Sequence, residues 1–179
     1  MIRKLLLSSL IALGAAGGAQ ADNYYSTNFG DITPEFDTAG TATVGVGAFV
    51  YDFFFSASVP YIGSVTVGDL PTVIQNTQKY DITGLSLSLW ADNGTVGSKD
   101  AADVFLGSFG SGEYISTQTP GAFTPGSYFF EVTGAGAGTS GGRFAYTASA
   151  VSAVPEPETY ALLFAGLGVV GFVARRRRA

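Results

Sequence analysis

Leu85, Ser86, Leu87, Ser88 and Leu89 alternate strictly between apolar and polar side chains. Successive side chains of a strand point to opposite faces, so this run predicts a β-strand with leucines toward a core and serines toward water. Trp90 continues the serine face, and Asp92, Asn93 and Gly94 then form a strong turn signal. The same reading predicts strands over residues 41–46 (the first of the body), 49–58, 63–67, 104–109 and 113–117. Phe53, Phe54 and Phe55 are consecutive. Three aromatics in a row place large apolar groups on both faces, which suits a central strand of a sandwich. Residues 127–133 and 143–151 predict a terminal hairpin, joined by the glycine-rich stretch 134–142. No part of the body sustains a helical apolar period. Short strands with turn signals about every ten residues predict an all-β chain with a single β-sandwich or jelly-roll-like domain over residues 22–151.

Both ends break this pattern. Arg3 and Lys4 precede an apolar run over residues 5–16, and Ala19-Gln20-Ala21 is a small-x-small cleavage site. Residues 1–21 therefore predict a signal peptide, with Asp22 as the first residue of the mature chain. At the other end Val154, Pro155, Glu156 and Pro157 lie in a polar linker, residues 152–159. An almost wholly apolar segment follows over residues 160–174, then Arg175, Arg176, Arg177 and Arg178 in the closing stretch 175–179. As a helix the apolar segment spans about 22 Å, short of the roughly 30 Å hydrocarbon core. The arginines can extend it by reaching to the interface, and the positive-inside rule keeps them cytoplasmic. The two prolines fix an extended backbone suited to the cleft of a processing enzyme.

A Pro-Glu-Pro motif, a short apolar helix and a terminal arginine cluster, in that order, resemble the PEP-CTERM sorting signal of Gram-negative bacteria. The resemblance implies an exosortase partner that removes the helix. It also implies a transient stay in the inner membrane, then the cell surface or extracellular space of a producer of extracellular polysaccharide. Residues Val50-Tyr51-Asp52-Phe53-Phe54 resemble the motif of a subgroup of these proteins named for Phe-x-Asp-x-Phe, with Val50 in place of the first aromatic. The stretch 125–134 followed by Gly141-Gly142-Arg143-Phe144 is similar to the pattern usual in that subgroup.

Charge changes the picture of the body. The whole chain carries −5. Six of its nine cations lie in the two end segments, leaving Lys79, Lys99 and Arg143 against twelve acids between residues 22 and 153, a formal charge of −9. Such a surface disfavours nucleic acid as a partner. It repels acidic polysaccharide unless divalent ions bridge the two. The chain has no Cys and no His. That removes disulfides, thiolate chemistry, histidine-containing zinc sites and every Ser-His or Cys-His arrangement.

Candidate chemistry is sparse. Asp52 among aromatics is either a ligand or acid, or a carboxylate satisfied inside a strand, the commoner case. Asp92, Asn93, Asp100 and Asp103 share one loop and offer oxygen ligands for calcium, though without EF-hand spacing. The expectation is no metal and no cofactor, with calcium as the alternative. Asn93-Gly94-Thr95 is a formal glycosylation sequon, discounted because the resemblance of the tail implies a bacterial source. Glu35, Glu113 and Glu131 are the carboxylates a glycosidase would draw on, and Trp90, Tyr114 and Tyr128 the aromatics a sugar-stacking face would use. The chain thus predicts a non-enzymatic secreted surface or matrix protein associated with exopolysaccharide. A carbohydrate-binding module is the first alternative, and a glycan-acting enzyme the second.

Overall fold

A computed structural model of the chain describes residues 23–33, 35–118, 123–152, 162–167 and 175–176. The expected signal peptide and its cleavage residues Ala19 and Ala21 lie outside the described residues. So do Val154, Pro155, Glu156 and Pro157, most of the expected membrane segment, and Arg177 and Arg178. Residues 162–167 are helical and exposed. Among the described residues no helix is long and apolar enough to cross a membrane.

The body is all-β. Its strands run β1 (Asn23–Ile32), β2 (Asp37–Val44), β3 (Gly47–Ala57), β4 (Tyr61–Asp69), β5 (Thr72–Ile74), β6 (Thr77–Tyr80), β7 (Ile82–Ala91), β8 (Val104–Ser111), β9 (Tyr114–Gln118), β10 (Gly126–Gly136) and β11 (Gly142–Ser152). One sheet has the order β1-β3-β10-β7-β8, the second β2-β11-β4-β9, and β5 and β6 form a small ribbon. The β1–β3 pair is parallel, and the other paired strands are antiparallel.

The alternation of each strand builds the core. Phe49, Tyr51, Phe53, Phe55 and Ala57 of β3, Tyr128, Phe130 and Val132 of β10, and Leu85, Leu87 and Leu89 of β7 all join one buried cluster. Val65, Val67 and Phe144 of the second sheet complete it from the other side. Aromatic rings cross between the layers: Phe144 lies 5.5 Å from Tyr51 and 6.1 Å from Phe49, and Tyr146 lies 4.7 Å from Phe53. Each fully buried aromatic of this kind contributes about 2–3 kcal/mol through area removed from water. Two sheets sharing one inner layer make a β-sandwich, and Phe53, Phe54 and Phe55 are all buried in a strand paired on both sides.

Two expectations are corrected. The first strand of the body is β1, not the 41–46 segment, which falls largely within β2. The predicted terminal hairpin does not form, because β10 belongs to the five-stranded sheet and β11 to the four-stranded one. The glycines between them carry the chain across the end of the sandwich at close backbone quarters. Gly141 has φ +94°, and a Cβ there would collide with the Val44 carbonyl. No L side chain fits both demands, so the stretch serves as a crossover, not a hairpin turn.

Candidate functional site

The five-stranded sheet has a second face, turned away from the core. Register puts two rows of side chains on it. Phe54, Phe129, Trp90 and Phe105 are cross-strand partners in sequence from β3 to β8. One step along the strands, Ser26, Asp52, Glu131, Ser88 and Ser108 form a polar row from β1 to β8. The aromatic row is a continuous stack. Phe54 lies 5.0 Å from Phe129, Phe129 is parallel to Trp90 at 6.0 Å, and Phe105 meets Trp90 edge-on at 5.1 Å.

The β7–β8 connection, residues 92–103, folds back over both rows. Lys99 anchors it twice. Its ammonium pairs with Glu131 Oε2 and sits 4.6 Å from the centre of the Trp90 ring. Beside this pair the Tyr24 hydroxyl donates to Asp52 Oδ2 at 2.8 Å. On the far side of Glu131, the Trp90 indole N–H donates to Ser88 Oγ at 3.1 Å, and Ser88 reaches toward Glu131 Oε1 at 3.5 Å. The loop and the strands around them leave Asp52 and Phe129 with 0% exposure and Glu131 with 8%.

Asp52 is the electrostatic oddity. Its Oδ1 is buried and has no hydrogen-bond partner. Burial pushes the Asp52 carboxyl up to about 7; the Tyr24 hydrogen bond and the Lys99 charge oppose this, and the Glu131 and Asp103 charges add to it. Tyr24 is raised as well, first by burial and then by the Asp52 charge. A protonated Asp52 beside ionised Glu131 and Lys99 makes a neutral set, and a buried site favours that state.

The three carboxylates among the loop residues named for calcium accept from backbone amides. Asp103 accepts from the amides of Asn93 (3.1 Å) and Asp100 (2.7 Å). Asp100 accepts from Thr95 (2.7 Å) and Ala102 (2.8 Å), which hold its carboxyl below the usual range. Asp92 accepts from Gly97 at 2.7 Å, while burial raises it. Asx-type turns of this sort shape a loop without an ion. Among the described residues no three His, Cys, Asp or Glu side chains gather as a metal-binding group.

The other candidates are dispersed. Glu35 sits in the β1–β2 connection with φ 75°, Glu113 is exposed between β8 and β9, and Glu131 lies under the loop. The aromatic trio is broken up too. Tyr128 is packed in the core against Phe55 and Phe123, Tyr114 stands 70% exposed in the four-stranded sheet, and Trp90 belongs to the other sheet. Arg175 and Arg176 are helical and exposed. The residues that do converge, Tyr24, Asp52, Lys99 and Glu131, were not grouped by spacing. Their signal was an echo: Asp52-Phe53-Phe54 and Phe129-Phe130-Glu131 are antiparallel copies of one polar–aromatic pattern.

Comparison with known proteins bears mainly on the tail. Residues 153–178 match the PEP-CTERM protein-sorting motif. That motif defines a class of exported proteins sorted through the C terminus, and this chain carries it directly after the end of β11 at Ser152. No curated protein matches the sequence. Among solved structures, the pre-peptidase C-terminal domain of a Bacillus anthracis collagenase aligns at 14% identity over 70% of this chain and 93% of its own, with a TM-score of 0.38. PliG, a periplasmic inhibitor of g-type lysozyme from Aeromonas hydrophila, aligns at 10% identity over 70% of this chain and 98% of its own, with a TM-score of 0.37. Neither likeness bears on what this chain binds or does.

Proposed function

We propose that the chain is an exosortase-processed, non-enzymatic surface or matrix protein, delivered outside the cell and associated there with extracellular polysaccharide. The sorting motif at residues 153–178 carries the reading. Further support comes from the body. Among the described residues Glu35, Glu113 and Glu131 are dispersed, and the facing carboxylates of Asp52 and Glu131 are roofed by Lys99. The resemblance around Asp52 extends the reading to the Phe-x-Asp-x-Phe subgroup.

In this reading the domain is the cargo and the tail its address. Only two residues separate the end of β11 at Ser152 from Pro155. The enzyme must therefore work close to the folded body. Replacing Pro155, Glu156 and Pro157 together by alanine should leave full-length protein in the membrane fraction. Normal trimming and release of that variant would overturn the sorting part of the proposal. Partition of the released protein between cell-free polysaccharide and supernatant tests the matrix part.

A further inference from the structure

We propose that the loop over residues 92–103 is a pH-released latch over Asp52, held shut by the two anchors of Lys99 on Glu131 and on the Trp90 ring. The proposal is independent of how the protein is sorted.

The geometry supplies the parts. Asp52 and Glu131 face each other across β3 and β10. Every charged or titratable group packed on Asp52 can be named: Tyr24 from β1, Glu131 from β10, and Lys99 and Asp103 from the loop. Lys99 is the single cation among them. With Asp52 protonated, that one cation balances Glu131, and the closed loop encloses no net charge among Asp52, Glu131 and Lys99. With Asp52 ionised, two carboxylates share one lysine, and Oδ1 of Asp52 is a buried anionic oxygen with no donor. A buried unpaired charge costs several kcal/mol unless water reaches it. The β-ladder beneath cannot open cheaply, because β3 is paired along its full length with β10. The loop can. Its Lys99 side chain is already 34% exposed, and its internal hydrogen bonds, such as those of Asp100 and Asp103, travel with it. At Asp52 burial outweighs the attraction of Lys99, so ionisation lifts the loop and admits water, and the sandwich stays folded.

The switch sits in a window otherwise nearly empty. The chain has no histidine and no cysteine. Apart from the α-amino group, no ordinary group titrates between about pH 6 and 8. Burial places the Asp52 carboxyl there.

Trp90 is the chain's single tryptophan and lies directly beneath Lys99. Its fluorescence in the full chain therefore reads the latch alone. Acrylamide quenching of Trp90 should rise by about two-fold or more between roughly pH 5 and pH 9, with the far-ultraviolet circular dichroism unchanged. Asp52→Asn should stay poorly quenched across the whole range. Lys99→Met should be highly quenched throughout, which keeps the test decisive if Asp52→Asn does not fold. Flat quenching in the unmodified chain overturns the proposal. So does a rise that survives Asp52→Asn, since the titrating group would then be another.

Discussion

Asp52 and Glu131 are facing cross-strand partners with unequal environments: Glu131 has Lys99 as counter-ion, while Asp52 has only a tyrosine hydroxyl. Like carboxylates in a buried row push the first proton onto the member with fewer charged partners. Burial is the first cause of the raised Asp52 carboxyl, and the asymmetry adds the facing Glu131 charge to it. The asymmetry also ties a long-range feature, the docking of the 92–103 loop, to the protonation of one strand residue.

Stability should therefore fall as pH rises. Asp52 goes from about 3.8 in an unfolded chain to about 7 here. An acid held above its unfolded value stabilises the fold fully below the unfolded value, and that stability is lost as pH climbs through the folded value. Three units correspond to ~4 kcal/mol as an upper bound, because hydration of Asp52 by loop opening caps the loss. Asp69 and Asp92, also raised by burial, act in the same direction. Urea midpoints should decline between about pH 4 and pH 7 and level off above. Asp52→Asn should match the unmodified protein near pH 3 and exceed it by a growing margin from about pH 4 to pH 7. A variant that is weaker throughout that range contradicts the assignment.

The ion pair is expected to matter for the loop more than for the sandwich. Lys99→Met keeps an aliphatic side chain of similar length and removes the charge facing Glu131. Breaking a pair that is buried on one side and a third exposed on the other should cost about 1–3 kcal/mol. Glu131→Gln removes the charge and keeps a hydrogen-bond acceptor, so its cost near pH 8 should be smaller, and near zero if relief of Asp52 compensates. Equilibrium urea unfolding of both variants measures the difference. Equal losses at that pH would mean that the charge arrangement is incidental.

Much of this architecture was legible in the chain, for identifiable reasons. The Leu-Ser alternation of β7 and the aromatic run of β3 are period-2 signals that burial alone can satisfy. β1 was missed because Asn23-Tyr24-Tyr25-Ser26-Thr27-Asn28 has no apolar alternation. Its tyrosines are half-buried on opposite faces, Tyr24 to Asp52 and Tyr25 stacked on Tyr51. The false hairpin came from treating 134–142 as a turn, when its glycines serve close packing during a change of sheet. Glu131 was visible as a carboxylate but not as the partner of Asp52, since the pairing spans some 80 residues and is set only by register.

The calcium alternative leads to a clear expectation. The carboxylates of Asp92, Asp100 and Asp103 already accept backbone amides that fix the loop. EDTA should therefore move the melting temperature by no more than about 2 °C, and added calcium should not raise it in proportion to concentration. A drop of about 10 °C or more on chelation would establish a structural ion through mass action, and Asp92 with its unpartnered Oδ1 would be the first ligand to substitute. In the ion-free case Asp100→Ala should still loosen the loop. It removes acceptors for Thr95 and Ala102, and faster hydrogen exchange at those two amides would show it.

The last expectation concerns the arginines that close the sorting motif. Arg175 to Arg178 follow an apolar segment of about 15 residues, too short to span the hydrocarbon core without help from its flanks. A block of positive charge resists translocation and marks the cytoplasmic end, and its influence should grow as the apolar stretch shortens. Replacing all four by serine should let the chain pass through the membrane before the processing enzyme acts. The protein would then be recovered outside the cell with residues 160–174 still attached. Intact-mass measurement of the secreted fraction distinguishes the outcomes. A normally trimmed C terminus in the variant would mean that Pro155, Glu156 and Pro157 with the apolar segment suffice, and that the charge block has no retention role.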